Sequence, residues 1–419
     1  MRFKILQEWL AWQERLHPDP IDLGLARVKQ VLEALKLTVP PYRILTVGGT
    51  NGKGSSVAFA EAMFRAGGYR VGAHTSPHIL RYNERIRVEG AEVSDQELCD
   101  SFARIDAARG ETSLTYFEFG FLATIDIFAA RGVEVAVLEV GLGGRLDAVN
   151  AVDPDAALVA SVGMDHMDWL GPDRESIGLE KAGIYRNRRP AICGDRTPPA
   201  SLLQHAGSIG ARLQVLGRDF DWRVDGDRWV WRGRGRVVRD LPSPALPGRI
   251  QYDNAATVIA ALSALQDVLP LTEEAIREGL VQAEIAARFQ RVPGEVECVF
   301  DVAHNPDAAR VLADNLQAMP AAGRTYGVMG MFRDKSVEEV ALAMAPHLDR
   351  WYLGAIEGPR GQSAVELAER VHKTVPGAAT GGYPSVAAAY AAARAQARSG
   401  DRVVVFGSFQ TVSAVLKDF

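Results

Sequence analysis

The segment Val47-Gly-Gly-Thr-Asn-Gly-Lys-Gly-Ser-Ser56 restricts what this chain can fold into more than any other stretch. Arg43 to Val47, just before it, is a short apolar run that reads as a strand, and Ser55 to Ala66 after it reads as a helix. A strand that feeds a glycine-rich turn and then a helix begins a βαβ unit. The glycines let successive amides face one concavity, and the helix N-terminus behind them adds roughly half a positive charge. Such a cradle takes phosphate. Lys53 can reach the outer phosphates, and Ser55 or Ser56 can approach a bound magnesium. Strict P-loop spacing asks for Gly at position 47 and Ser or Thr directly after the lysine, where this chain has Val47 and Gly54. Within its strand–loop–helix context the segment is still read as a nucleotide-phosphate site rather than a plain turn.

The rest of the chain follows the same alternation. Val133 to Val140 is a near-continuous β-branched run, as expected of a strand buried on both faces, and Ala156 to Val162 is another. Strands separated by helical stretches imply a parallel sheet with crossover helices. Upstream, Ile5, Trp9, Trp12 and Leu16 fall at helical spacing, Gly24 to Leu35 reads as a second helix, and Pro40-Pro41 ends it. Phe220 to Leu241 alternates around Asp225-Gly226-Asp227 and predicts a hairpin; a loop to Gly248 and helices from Asp253 to about Ala287 follow. A second strand–helix series runs through Val296–Asp301, Thr325–Met329, Arg350–Gly354 and Arg402–Phe406, with an alanine-rich helix at Ala387–Ala397. At about 150 residues per domain, 419 residues suit two or three domains. The expected architecture is α/β: a P-loop parallel-sheet domain over residues 1–287, a linker at 288–294, and a smaller Rossmann-like α/β domain at 295–419.

Composition excludes several classes. Lys and Arg total 47 against 52 Asp and Glu, a net charge of −5, which argues against nucleic-acid or membrane binding through bulk charge. Three scattered cysteines form neither a disulfide framework nor a zinc cluster. No run of eighteen apolar residues is present, and Lys4, Glu8 and Glu14 interrupt any signal-peptide core, so a cytoplasmic location is expected. Gly141-Leu-Gly-Gly-Arg145 imitates a dinucleotide fingerprint but has Leu146 where the third glycine belongs.

Taken together, Gly49-Thr-Asn-Gly-Lys-Gly-Ser55, Thr75-Ser-Pro-His78, Asn83-Glu-Arg-Ile86, Glu139-Val-Gly-Leu-Gly-Gly-Arg-Leu-Asp147, Asp165-His166, Glu180-Lys-Ala-Gly-Ile184, Asn254-Ala255, Arg288-Phe-Gln290 and Asp301-Val-Ala-His-Asn-Pro306 resemble the folylpolyglutamate synthase/dihydrofolate synthase family of the Mur ligase superfamily. They occur in family order along nearly the whole chain. The resemblance implies a Mur ligase-like fold and an ATP-dependent ligase. Such an enzyme phosphorylates the carboxylate of dihydropteroate, or of tetrahydrofolate mono- and polyglutamates, and couples it to the amine of L-glutamate. The chemistry is coherent in itself: a carboxylate resists an amine until phosphorylation gives it a leaving group, and the protein's task is positioning and charge neutralisation. Ile21-Asp-Leu-Gly24 and Thr115 to Glu118 look like the bacterial bifunctional members.

The resemblance also implies roles for individual residues. Thr50, Asn51, Gly52, Lys53, Gly54 and Ser55 would bind phosphates, and Asn254, Arg288 and Asp301 the base, phosphate and ribose regions. Lys53, Lys181, His166 and Arg288 would be catalytic, with Arg288 brought onto the γ-phosphoryl group by domain closure. Ahead of Arg288 the family usually has glycine, whereas this chain has Ala286-Ala287. Ser76, Glu139 and His166 match magnesium positions, and Lys181 matches a lysine that is carbamylated to hold a second magnesium; a monovalent cation is also expected. Glu139 is supported independently, since a carboxylate ending a buried parallel strand faces the edge where ligands bind. Read alone, Ser76 would be a helix cap, His166 a loop histidine, Lys181 a solvated lysine and Phe117 a core aromatic. Pro20, Ile21, Asp22, Leu23, Thr115, Tyr116, Phe117, Glu118, Leu146, Asp147 and Ala148 would take the pterin. In that group Phe117 would stack on the heterocycle, and Asp22 and Asp147 would accept from ring nitrogens. Pro77 to Arg85 resembles a mobile folate loop, and His304 falls near the cleft with no assigned chemistry. The expected partners are small molecules (dihydropteroate, folates, L-glutamate, ATP) acting on a monomer. A muramyl peptide ligase and a P-loop switch or transport ATPase are the rival readings.

Overall fold

The computed structural model of the chain describes residues 2–378 and 380–419. The protein is α/β throughout and divides into two compact units, residues 1–245 with 251–284, and residues 246–250 with 285–419. In the first unit the strands are β1 (Arg43–Gly48), β2 (Val71–His74), β3 (Ile86–Val88), β4 (Ala91–Glu92), β5 (Val135–Glu139), β6 (Ala156–Val159), β7 (Pro190–Cys193) and β8 (Arg212–Val215). They form one sheet in the order β4-β3-β2-β5-β1-β6-β7-β8. β1 lies between β5 and β6, parallel to both, so the loops after these three strands emerge side by side at the carboxyl edge. β1 is buried after its first residue and β5 along its whole length, which is why both read as apolar runs. The sheet is mixed rather than purely parallel: β3 runs antiparallel to β2, and β4 to β3. The chain leaves β2 through a short loop that returns it along the same edge, and a connection that short permits only antiparallel pairing.

The helix after β1 spans Lys53–Ala66, starting two residues earlier than its composition suggests, because Gly52 at φ +83° ends the turn and serves as N-cap. The first helix, Leu6–Gln13, differs from the expected face. Ile5 is 53% exposed, Leu6 takes the buried position instead, and Leu16 lies beyond the helix end. Trp9 is the anchor: it is fully buried, with ring centroids 5.3 Å from Phe3, 5.7 Å from Trp12 and 5.9 Å from Phe102. Trp9→Ala is expected to destabilise the first unit by about 3–5 kcal/mol, since this cage of rings cannot collapse onto alanine. The urea midpoint measures it, and an unchanged midpoint would show that the helix contributes nothing to the core.

The predicted hairpin is a three-stranded meander of β9 (Phe220–Asp225), β10 (Arg228–Gly233) and β11 (Arg236–Leu241). Its second turn places Arg234 at φ +50° and Gly235 at φ +73°, the left-handed pair of a type I′ turn. The indole of Trp231 donates to Ala256 O (3.0 Å), tying the meander to helix Ile250–Ala264. Helix Glu273–Gln282 closes the unit.

The second unit holds β12 (Gln290–Val292), β13 (Glu297–Asp301), β14 (Thr325–Met329), β15 (Arg350–Gly354), β16 (Thr380–Tyr383) and β17 (Arg402–Phe406), ordered β12-β13-β17-β14-β15-β16. All pairings are parallel except that of β12 with β13. The stretch read as a linker therefore contains an edge strand, and β16 escaped notice because its sequence is Thr-Gly-Gly-Tyr. Among the described residues no helix is long and apolar enough to cross a membrane. Cys99, Cys193 and Cys298 are buried and unbridged.

Candidate active site

The phosphate loop is held open by its own polar backbone. Thr50 N donates to Ser161 O (2.8 Å), and Asn51 N to Ser161 Oγ (3.0 Å), which donates in turn to Asn51 O (3.0 Å). Thr50 Oγ1 donates to Gly163 O (3.1 Å) and accepts from Gly163 N (3.0 Å). These bonds fasten the loop to the segment following β6. A Cβ on Gly52 would lie 2.5 Å from Asn254 Oδ1, so the positive φ and the close approach of Asn254 both require glycine there. Asn254 is buried on helix Ile250–Ala264 and donates to Gln251 Oε1 (2.9 Å). Lys53 Nζ donates to Gly49 O (3.0 Å) and Thr50 O (3.1 Å), which folds the ammonium group back over the loop. Ser55 is buried at the start of the helix.

Beside this loop, Glu139 ends β5 in register with Val47 and accepts from Ser76 N (3.3 Å). Ser76 thus caps a carboxylate rather than a helix. The 141–147 turn is locked to helix Arg174–Ala182 by close approach. A Cβ on Gly144 would lie 2.8 Å from Glu180 O and 3.0 Å from Lys181 O, and one on Gly183 would run into Arg145. Arg145 N donates to Glu180 O (2.8 Å) and its guanidinium group to Glu180 Oε1 (2.8 Å). Lys181, at this helix end, is buried and makes no ion pair or side-chain hydrogen bond among the described residues. Burial first, and the Lys53 ammonium second, bring its pKa down to about 7 against the opposing pull of Asp165 and Asp147. Asp147 is buried too and accepts from Leu142 N (2.8 Å) and Val149 N (3.0 Å); burial pushes its pKa up to about 6. Gly144→Ala needs no change of φ but forces the helix end outward. Turnover is expected to fall roughly 10-fold with the thermal transition retained. Parental kcat would mean that the interlock does not position Lys181.

His166 stands at the rim, at φ +53°, with 40% of its side chain exposed and Nε2 3.9 Å from Asp165 Oδ2. Among the described residues no three His, Cys, Asp or Glu groups converge as a ready-made metal cage. The donors present suit a hard cation that takes most of its oxygens from phosphate and water.

The residues expected to take the pterin gather around one brace. The Arg27 guanidinium group donates to Asp22 Oδ2 and Asp22 O, and to Glu118 Oε1 (3.1 Å), joining the loop at residues 20–23 to the helix Tyr116–Ala130. Thr115 and Glu118 form a capping box, Glu118 N donating to Thr115 Oγ1 (3.2 Å) and Thr115 N to Glu118 Oε2 (2.8 Å). Asp22 and Glu118 are therefore already engaged within the protein; for Glu118 alone, the Thr-x-x-Glu spacing signals its cap. Phe117 is half-buried with its ring against Gly141, where a Cβ would sit 2.6 Å from Cζ, and its centroid is 6.0 Å from the His74 ring. Tyr116 lies edge-on to Tyr82, with Arg85 over both rings. Pro20 and Ile21 are exposed, Leu23 and Leu146 half-buried, and Ala148 buried. The 77–85 segment is a defined turn: the Glu84 carboxylate accepts from the amides of Ile79 (2.6 Å), Leu80 (2.7 Å) and Arg81 (2.6 Å). Arg27 and Ser161 have no signal in the sequence, and Asp165 and Glu84 stand there only inside motifs with no role of their own, since each acts through partners that only the fold brings near.

In the second unit, Asp301 ends β13 and accepts from Phe289 N (2.8 Å) and Ala303 N (2.8 Å). Burial raises its pKa, and the Arg288 guanidinium opposes the rise. Arg288 lies over the Phe409 ring, 5.1 Å from its centroid. Ala287 adopts φ +56° and Phe289 φ +47°, so the alanine before Arg288 takes the left-handed conformation that a glycine would adopt freely. His304 Nδ1 lies 2.8 Å from Val302 O.

Comparison with known proteins matches two families: the Mur ligase middle domain over residues 47–198 and the Mur ligase glutamate ligase domain over residues 287–409. The chain is 43% identical over 412 residues to the dihydrofolate synthase/folylpolyglutamate synthase of Escherichia coli K12, covering 98% of this chain and 95% of that protein. It is 39% identical to the Haemophilus influenzae protein of the same name, over 97% and 96% of the two chains. Among solved structures, the E. coli FolC complex with DHPP and ADP superposes with a TM-score of 0.93 at 43% identity, covering 99% of this chain and 97% of that one. A bifunctional folylpolyglutamate synthase/dihydrofolate synthase with Mn, AMPPNP and L-glutamate bound gives 0.91 at 43% identity, over 99% and 98%.

Proposed function

We infer, from the premise that the chain belongs to the dihydrofolate synthase/folylpolyglutamate synthase family of Mur ligases, that it is an ATP-dependent ligase joining L-glutamate to a pterin carboxylate. A carboxylate oxygen of dihydropteroate, or of a tetrahydrofolate glutamate, attacks the γ-phosphorus of ATP, and ADP leaves. The glutamate amine then attacks the acyl carbon, loses a proton, and phosphate departs. The products are dihydrofolate or a folylpolyglutamate, with ADP and phosphate.

The observation that carries this reading is the interlock that sets buried Lys181 beside Lys53 and Asp147 next to the phosphate loop. The loop amides of Gly52 to Ser55 hold the phosphates, while those of Thr50 and Asn51, bonded to Ser161, shape the loop; Lys53 stands over the charge that develops on transfer, and Asn254 borders the nucleotide. Ser76, Glu139 and His166 would hold one magnesium and a carbamylated Lys181 a second, and the ions would neutralise charge on the transferring phosphoryl group. Carbamylation needs a neutral amine, and a lysine with a pKa near 7 supplies one at physiological pH. Arg288 and Asp301 are assigned to the nucleotide by the family resemblance alone. Phe117 offers a half-buried face to the pterin, between the 20–23 loop and Leu146 to Ala148. The enzyme works as a cytoplasmic monomer in this reading.

The test is ADP release by purified protein with Mg-ATP and L-glutamate, comparing dihydropteroate, tetrahydrofolate and no pterin. Turnover with both pterins is the expected result. Equal turnover without pterin would replace the ligase by a P-loop ATPase.

A further inference from the structure

The first unit carries a second basic concavity at the end of its sheet opposite the phosphate loop. It encloses about 430 Å³, and its lining includes Arg43, Arg189, Arg212, Arg234 and Arg236 against Asp155 and Asp267. Five cations and two anions give this surface a net +3, in a chain whose net charge is −5. The residues come from the amino ends of neighbouring strands: Arg43 opens β1, Asp155 precedes β6, Arg189 precedes β7 and Arg212 opens β8. From Arg43 to the phosphate-loop end of β1 is five residue steps of about 3.3 Å, or roughly 17 Å. The concavity is therefore separate from the site described above.

Three features make it more than a solvated basic face. Asp155 is a fixed bracket: Oδ2 accepts from Ile44 N (2.9 Å), while Oδ1 accepts from Arg43 Nη1 (3.1 Å) and Arg189 Nη1 (3.0 Å). Both forks are thereby held in place with most of their donors unspent. Ser263, on the wall, has an Oγ shielded from solvent with no hydrogen-bond partner among the described residues, which is uncommon for a buried hydroxyl. Arg234 occupies the first left-handed position of the turn between β10 and β11, at φ +50°, where asparagine or glycine is the usual occupant. A bulky residue kept in that conformation points to a role for its side chain. Neither Arg212 nor Arg234 makes an ion pair among the described residues.

We propose that this concavity is a binding site for a small polyanion, recognised by paired guanidinium forks through phosphate or carboxylate oxygens. Guanidinium groups match both oxyanions, so two sources qualify: a phosphoryl group, or the carboxylates of an oligo-γ-glutamyl chain. None of these residues belongs to the ligase site, so the phosphoryl source is independent of the ligase reading, whereas the γ-glutamyl source rests on it.

The experiment is calorimetric titration of the full chain with its nucleotide site saturated by Mg-ADP, using inorganic phosphate in one arm and tri-γ-L-glutamate in the other. Saturable binding in either arm is expected, weakening as salt rises and by at least about 10-fold in the double variant R212S/R234G. The arm that binds identifies the source. Glycine suits φ +50°, so the double variant should retain its thermal midpoint; R212S alone, at an exposed strand start, serves if it does not. Ligase turnover should be unchanged in both. No binding in either arm, or equal affinity in parent and variants, would overturn the proposal.

Discussion

Lys53→Ala is expected to lower ligase turnover by roughly 10²–10³-fold, the cost of losing one donor aimed at transition-state charge. The loop should survive the change. Its shape rests on the Thr50, Asn51, Ser161 and Gly163 bonds, none of which involves the lysine side chain. ATP should still bind through the backbone amides, so kcat falls more than KM for ATP rises. A second consequence follows from the electrostatics. The Lys53 ammonium helps keep the Lys181 pKa low, so removing it leaves Lys181 more protonated and a poorer partner for carbon dioxide. Single-turnover rates of acyl phosphate formation give the check, and parental rates would remove Lys53 from the chemistry.

Lys181→Met is expected to separate activity from stability. Activity should fall by roughly 100-fold, as for other losses around a metal. Stability should rise below pH 7, because the variant no longer buries an ammonium group without an ion pair. The sign follows from linkage. The folded-state pKa of about 7 lies below the ordinary 10.5, so between these values the unfolded chain binds more protons and parental stability climbs with pH. The advantage of the methionine variant is therefore largest below pH 7 and shrinks toward pH 10.5. Urea midpoints at pH 6 and pH 9 measure this, and a gap that widens with pH would contradict the buried ammonium. Depleting bicarbonate should slow the parent and leave the residual activity of the variant untouched.

The contrast between these two lysines shows what was legible in the sequence. Lys53 could be read from its own neighbourhood, because glycine spacing, strand and helix are all local. Lys181 lies in an ordinary amphipathic stretch, and its burial is a product of the fold, in which Gly144, 37 residues upstream, packs against the backbone of its helix end. The same division runs through the fold. Apolar runs exposed β1, β5 and β6, whereas β16 is concealed by its glycines and β12 lies in a stretch that reads as linker. Asp22 and Glu118 looked like substrate ligands because their sequence context resembled one. That Arg27 already spans them is a tertiary fact with no local signature.

The division of the chain has a consequence for its synthesis. The first unit is not complete until residue 284, because helix Glu273–Gln282 packs so closely on helix Lys53–Ala66 that a Cβ on Gly279 would lie 2.5 Å from Met63 Cα. At ribosomal rates of about 5–20 residues per second, the 218 residues from Gly67 to Glu284 take roughly 10–40 s to emerge. Throughout that interval Met63 on the phosphate-loop helix waits uncovered. The nascent protein thus presents an apolar surface to the cell long before it can bind a nucleotide.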